Sequence, residues 1–373
     1  MKYKLKELAD ISSSKRIYYS EYTNKGIPFY RGKEIIEKTE NKDISNKLFI
    51  SKERYDELKI KYGVPQKGDI IMTAVGTLGK CWLVDSTEFY FKDGNCLWFY
   101  NFNRKINNKY LYYYMCSNFF QNKIDNICIG STQKALTIQQ LKEVNINIPC
   151  IETQNKIVKI LDNICHKIRI NSQTNDNLLE LIKKLYIEKI KNNNDINFEE
   201  KNLDEFCNIF TGKKNANASE ENGQYKFFTC APEPLSINSY IYDGPAVMVA
   251  GNGAYTGRTN FYNGKFDLYQ RTYGITTNND YIYLFYAMIY TDLQNDIMGG
   301  THGSAIPYIV MNDIAKFKVK YNKELFDELS QKIKVLLLKI KSNESQNETL
   351  EQLRDTLLPK IMNGEIDLDK IES

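Results

Sequence analysis

The sequence predicts an α+β protein: two mixed α/β modules in tandem, separated by two long helices that form an antiparallel coiled coil, with a pseudo-two-fold internal repeat. Three observations carry this expectation. The opening Leu5-Lys-Glu-Leu-Ala-Asp-Ile11 returns as Leu203-Asp-Glu-Phe-Cys-Asn-Ile209, 198 positions later, and Phe29 recurs at the same offset as Phe227. Gly and Pro are absent from Cys150 to Thr211 and from Met311 to Leu358, yet crowd the rest of the chain. Interior Gly and Pro oppose helix, so these zones are the helix candidates. Within both zones apolar residues recur at alternating spacings of three and four, which is a heptad seam.

Taken in order, the first module covers 1–150. Its apolar and aromatic runs Ile70–Ala74 and Cys96–Tyr100 read as strands, Asn108–Phe120 as a Tyr-rich helix and Val144–Pro149 as a short β segment. A long helix follows over 151–190, with the seam Leu161, Ile164, Ile168, Asn171, Asn175, Leu178, Ile182 and Leu185. At about 1.5 Å per residue, Glu152–Ile190 would be about 58 Å long. The polar segment 191–201 reads as a linker. The second module, 202–321, repeats the pattern with strands at Ala246–Ala250 and Tyr273–Thr277, a helix at Tyr281–Asp292 and a β segment at Phe317–Tyr321. The second long helix, 322–362, carries Phe326, Leu329, Ile333, Leu336, Ile340, Asn343, Asn347 and Leu350, and a tail, 363–373, follows. Leu179-Glu180 and Lys189-Ile190 match Leu350-Glu351 and Lys360-Ile361 at an offset of 171. A single apolar stripe on so long a helix is sticky in water, and mutual antiparallel pairing buries both stripes. The competing reading packs each helix on its own module. Each seam holds two asparagines, which either set the register, because a buried polar residue penalises misalignment, or break the helix.

The totals agree with a multi-domain globular protein: 373 residues, 42% hydrophobic, net charge +4. A mildly basic chain is compatible with nucleic acid without being diagnostic of it. The 8 cysteines all precede residue 231 and form no C-x-x-C pair, so most are expected to be reduced core thiols of a cytoplasmic protein. No run of 18 apolar residues occurs, which predicts no membrane-spanning helix, and Met1-Lys2-Tyr3-Lys4 does not read as a signal peptide.

No active site emerges. Only His166 and His302 are available as imidazoles, and no His/Cys cluster has metal-ligand spacing. Gly76-Thr-Leu-Gly79-Lys80-Cys81 has the wrong spacing for a phosphate-binding loop. Gly251-Asn-Gly253-Ala-Tyr-Thr-Gly257 is one residue too long for a dinucleotide fingerprint and reads better as a strand turn. Binding signals are better. The small, polar loop Ile129-Gly-Ser-Thr-Gln-Lys-Ala-Leu136 has a counterpart in Gly299-Gly-Thr-His-Gly-Ser-Ala-Ile306, each ending in Ala and an aliphatic residue. Such loops let backbone amides approach phosphates, while Ser, Thr, Gln and Lys donate to phosphates or base edges. Candidate DNA-binding residues are therefore Ser131, Thr132, Gln133 and Lys134, with Arg31, Lys33, Thr73, Thr77 and Lys80, in the first module. In the second they are Thr301, His302 and Ser304, with Arg258, Tyr269 and Arg271. The bland reading of each cation is a solvated turn residue.

Four segments now carry a family resemblance: Leu5–Ile11 with its repeat, Gly68-Asp-Ile-Ile71 before a Gly turn, Gly130–Leu136, and Leu357-Leu-Pro-Lys-Ile-Met-Asn-Gly-Glu-Ile366. In this order, duplicated around two heptad helices, they resemble the DNA-specificity (S) subunit of type I restriction–modification enzymes over essentially the whole chain. The resemblance implies two target-recognition domains, each reading half of a split, asymmetric site in double-stranded DNA. It implies that the helices space the domains and dock two methyltransferase (M) subunits, and that restriction (R) subunits join to cut DNA. It implies a non-catalytic chain without a cofactor of its own, S-adenosylmethionine, ATP and Mg²⁺ belonging to the partner subunits. Thr301-His302-Gly303 in place of Ser131–Lys134 implies halves that read different bases. The alternatives are a single-chain nuclease or methyltransferase component, and a coiled-coil adaptor that does not touch DNA.

Overall fold

A computed structural model describes the chain except for residues 41–43, 86–87, 129–133, 294–307 and 363–373. The chain divides into two units, one formed by Met1–Ile168 with the chain from Glu348, the other by Arg169–Asn347. In chain order the first unit carries β1 (Lys2–Lys4), β2 (Asp10–Ser12), β3 (Tyr22–Thr23), β4 (Ile27–Tyr30), α1 (Gly32–Thr39), β5 (Phe49–Ile50) and α2 (Lys52–Tyr62). Then come β6 (Ile70–Thr73), β7 (Cys81–Leu83), β8 (Tyr90–Phe91), β9 (Cys96–Tyr100), α3 (Asn108–Cys116), α4 (Asn118–Ile127), α5 (Ile138–Lys142), β10 (Asn145–Asn147) and the first half of the long helix α6 (Ile151–Tyr186).

Three sheets organise this unit: the pair β1–β10, the order β2-β9-β6-β7 and the order β3-β5-β4-β8. The first pair closes the module, because the Leu5 amide donates to the Val144 carbonyl at 3.0 Å. The Lys4 amide donates to the Glu7 carboxylate at 2.6 Å, which tightens the turn that buries Leu5 completely. β6 is buried at every position, as its run of Ile, Ile, Met and Thr requires of an inner strand. The one helix expected over Asn108–Phe120 is two: Ser117 is extended and its Oγ accepts from the Phe120 amide at 3.3 Å, ending α3 and capping α4, which runs on to Ile127. The cysteine expectation also needs correcting. Only Cys81 and Cys96 are buried; Cys116 and Cys150 are exposed, the other four are half-buried, and all eight are free thiols.

The second unit starts with the remainder of α6, which ends in a wider π turn at Ile187–Lys191. It continues with β11 (Glu199–Asn202), β12 (Asn208–Thr211), β13 (Tyr225–Phe228), β14 (Leu235–Ile237), β15 (Tyr242–Ala250), β16 (Thr259–Leu268) and β17 (Thr272–Thr276). After α7 (Tyr281–Met288) come α8 (Met311–Ala315), β18 (Lys318–Tyr321) and α9 (Lys323–Met362), of which the residues to Asn347 belong here. Glu199–Lys201, read above as the end of a linker, pair with β18. The main sheet is six-stranded, β12-β17-β15-β16-β13-β14.

The repeat is visible in backbone register. Leu203 repeats Leu5: it is fully buried, its amide donates to Phe317 at 3.0 Å, and Glu205 accepts from the Asn202 amide at 2.7 Å. Ile70 lies opposite Phe99 and Thr73 opposite Cys96; Val247 lies opposite Ile275 and Ala250 opposite Thr272. Phe29 and Phe227, both fully buried, sit on parallel-paired strands opposite Tyr90 and Asp267. Strands β2, β6, β7 and β9 therefore match β12, β15, the start of β16 and β17 residue for residue. β8 matches the end of β16, so one long strand of the second unit is two short strands in the first.

Both long helices are continuous through their asparagines. Every seam position is buried or half-buried. Within the second unit Asn171 Nδ2 donates to Gln346 Oε1 at 2.8 Å and to Asn347 Oδ1 at 2.9 Å, and Asn343 Nδ2 donates to Asn175 Oδ1 at 2.8 Å. The numbers run in opposite directions, so α6 and α9 are antiparallel there, and the asparagines pair instead of breaking the helices. The apolar seam continues beyond them, with Leu178 and Ile182 packing in one core with Phe326, Leu329, Ile333, Leu336 and Ile340.

At α1, Glu34 is fully buried and accepts from Arg31 Nη2 at 2.7 Å, Nε at 3.1 Å and the backbone amide at 2.8 Å. Burial by itself pushes the Glu34 carboxyl up, but the Arg31 hydrogen bonds outweigh it and hold the carboxyl below its ordinary value of 4.5.

Two predictions follow from these buried polar contacts. Asn343→Ala strands the Asn175 carboxamide and should cost about 1–3 kcal/mol, whereas joint replacement of Asn175 and Asn343 by Leu should cost less than the single change. Thermal melting followed by circular dichroism checks both. For Glu34, a depressed folded-state value means that its stabilisation is present above pH 4.5 and is lost as the pH falls below it. Glu34→Gln should therefore show a shallower fall in Tm than the parent between about pH 5 and pH 3.

Candidate nucleic-acid interface

Each central strand, β6 or β15, leads into a tight turn that the backbone pins in the same way. In the first unit the Thr73 amide donates to the Lys80 carbonyl at 2.9 Å and the Gly79 amide to Thr73 at 2.9 Å. In the second, the Ala250 amide donates to Arg258 at 2.9 Å and the Gly257 amide to Ala250 at 2.8 Å. Lys80 and Arg258 are therefore equivalent cations at the foot of equivalent turns. Gly76 (φ 79°) and Gly253 (φ 85°) adopt the left-handed conformation, and nothing lies within 4 Å of where either would carry a Cβ. Gly79 is left-handed too (φ 73°), and a Cβ there would run into Ile124 Cδ1 of α4. Gln121 of α4 donates to the Gly79 carbonyl at 2.9 Å, so the helix supports the turn from behind.

The end of each polar loop docks on this turn. Ala135 bridges to Val75, and the Leu136 amide donates to Ala74 at 2.9 Å; Tyr308 bridges to Asn252, and the Ile309 amide donates to Gly251 at 2.9 Å. The place of Ala135-Leu136 is thus taken by Tyr308-Ile309, three residues beyond the Ala305-Ile306 pair that the loop sequences suggested. Short capped helices follow in both cases, with Thr137 and Gln140 paired in one and Val310 and Asp313 in the other.

The sequence candidates sort accordingly. Arg31, Lys33 and Thr77 line one open groove together with Val75 and Asn95. Lys33 is exposed, with Glu37 3.8 Å away, whereas Arg31 is committed to Glu34. Lys80 is exposed and makes no ion pair among the described residues, and Lys134 has only Asp125, at 3.9 Å. Thr73 is corrected: its side chain is fully buried, and its hydroxyl donates to the Thr77 carbonyl at 2.6 Å and accepts from the Lys80 amide at 3.0 Å, so it builds the turn and faces no ligand. In the second unit Arg258 lies over the Tyr255 ring at 5.7 Å, Tyr269 is half-buried and Arg271 is exposed. Ser131, Thr132, Gln133, Thr301, His302 and Ser304 lie outside the described residues. Asn95 was not singled out from sequence. It sits in the turn Asp93-Gly-Asn95, and only the strand register reveals its place.

Exposed cations around a glycine-opened turn suit phosphate contact, and the adjoining polar side chains suit base edges. Among the described residues no group of three or more His, Cys, Asp or Glu could hold a metal, and no helix is long and apolar enough to cross a membrane.

Comparison with known proteins agrees in kind. The family described as "Type I restriction modification DNA specificity domain" matches residues 1–180 and 195–353. The EcoDI specificity subunit of Escherichia coli is 37% identical over 172 residues, 44% of this chain and 37% of the relative, so the match spans well under half of that protein. The MjaIX specificity subunit of Methanocaldococcus jannaschii is 25% identical over 304 residues, 70% of each chain. The crystal structure of a type I restriction-modification S subunit from M. genitalium shares the fold, with a TM-score of 0.58 at 18% identity over 97% of this chain and 95% of that one. The chain therefore belongs to the type I restriction modification DNA specificity family.

Proposed function

We propose that the chain is a DNA-reading subunit of a type I restriction–modification complex. In this reading each unit addresses one half of a split target in double-stranded DNA, while α6 and α9 set the spacing of the halves and dock two methyltransferase subunits. Restriction subunits join that complex. The chain itself does no chemistry, and S-adenosylmethionine, ATP and Mg²⁺ serve its partners. One observation supports this above the others: the two turns have the same backbone register and different side chains. A shared frame with a changed face is what reading two different half-sites requires.

Lys80, Arg258 and Lys134 act mainly on phosphates. Lys80→Ala and Arg258→Ala should each weaken binding to all duplex sequences and lower the slope of log affinity against log salt by roughly one. Lys134→Ala should do the same. Filter binding across a salt series, with the complex assembled, is the check; unchanged slopes would remove these residues from the footprint. The spacing role has its own test. Inserting about four residues in each long helix adds one turn, roughly 5–6 Å. That should lengthen the gap between half-sites by about two base pairs at about 3.4 Å each. Methylation mapping that finds the original gap would refute it, and methylation or cleavage by the isolated chain would favour an enzyme instead.

A further inference from the structure

The matched registers place Asn95 and Arg271 at one and the same position of the duplicated frame. The Ala74 amide donates to the Asn95 carbonyl at 2.8 Å, and the Gly251 amide donates to the Arg271 carbonyl at 2.8 Å. Each residue immediately precedes the strand residue, Cys96 or Thr272, that pairs with the last residue of the central strand. Both therefore stand at the root of the glycine-opened turn. Asn95 lines the groove shared with Lys33 and Thr77, and Arg271 is exposed. Neither the Asn95 carboxamide nor the Arg271 guanidinium has a hydrogen-bond or ion-pair partner among the described residues. This sets them apart from Arg31, whose fork is occupied by Glu34.

The chemistry of the two groups differs in a way that DNA can read. A carboxamide offers one donor and one acceptor side by side, matching N6 and N7 of adenine. A guanidinium offers two parallel donors, matching O6 and N7 of guanine. We propose that Asn95 and Arg271 are matched base-reading positions, Asn95 for an adenine in one half-site and Arg271 for a guanine in the other. The assignment rests on the DNA-reading function proposed above and names which bases that function distinguishes.

Selection of bound duplexes from a randomised pool, by the complex with its methyltransferase subunits, tests it. Asn95→Ala should relax discrimination at one adenine of one half by roughly 5- to 150-fold, and Arg271→Ala at one guanine of the other half by a similar factor. All remaining positions should stay as in the parent. Asn95→Asp, which keeps the size but presents acceptors alone, should move the preference at that adenine toward cytosine. A parent complex that enriches a split site left unchanged by both alanine variants, or relaxed at other bases or in a single half, would overturn the assignment alone. A parent complex that enriches no sequence would overturn the DNA-reading function and the assignment with it.

Discussion

Each module depends on the register of its central strand against the neighbour that follows it in the sheet. Thr73 opposite Cys96, and Ala250 opposite Thr272, fix where the strand ends and where the turn begins. Because side chains alternate along a strand, a slip of one residue would exchange Ile70 and Met72, which pack in one core, with Ile71, which packs in another. The turn inherits that precision. Its feet are backbone hydrogen bonds, which do not depend on side-chain identity, so the residues between them are free to differ. Lys80 and Arg258 hold the same position with different reach and geometry, one a point charge and the other a planar fork.

The long helices impose a different constraint. A purely apolar seam tolerates sliding by a heptad, whereas a buried carboxamide pairs only where its partner stands. Asn343 meets Asn175 and Asn171 meets Asn347, so one alignment gives each of the four carboxamides a partner. The apolar positions to the N-terminal side of Asn343, from Phe326 to Ile340, supply the packing with Leu178 and Ile182. Stability and alignment thus come from different residues of one helix.

Much of this was legible from spacing alone. The seams could be read because a helix imposes a period on its buried face. The repeat could be read at Leu5–Ile11 because burial at Leu5 and Leu203, and the carboxylates at Glu7 and Glu205, restrict what can stand there. What escaped was set by pairing between distant strands. β16 contains Asn260, Asn263, Gly264 and Lys265, poor strand formers that are held extended by β15. The break at Ser117 interrupts an otherwise helical composition through one capping hydroxyl. Thr73 looked like a donor to a ligand because a sequence cannot show that its hydroxyl is consumed within its own turn. Asn95 gave no signal, since turn asparagines are common and only the partner strand shows what it stands beside.

The first unit is built from two stretches of chain separated by the whole of the second. Residues up to Ile168 leave the ribosome long before Glu348, with 179 residues between them. At about 5–20 residues per second, synthesis of that interval takes roughly 10–40 s. During it the apolar stripe of the first half of α6, Ile157 and Leu161 included, lacks the α9 segment around Leu357 that packs on the same core in the finished unit. The second unit, by contrast, is a single uninterrupted stretch. The later-made unit can therefore be complete first, and a nascent chain stalled between the two would expose the seam on which the first unit closes.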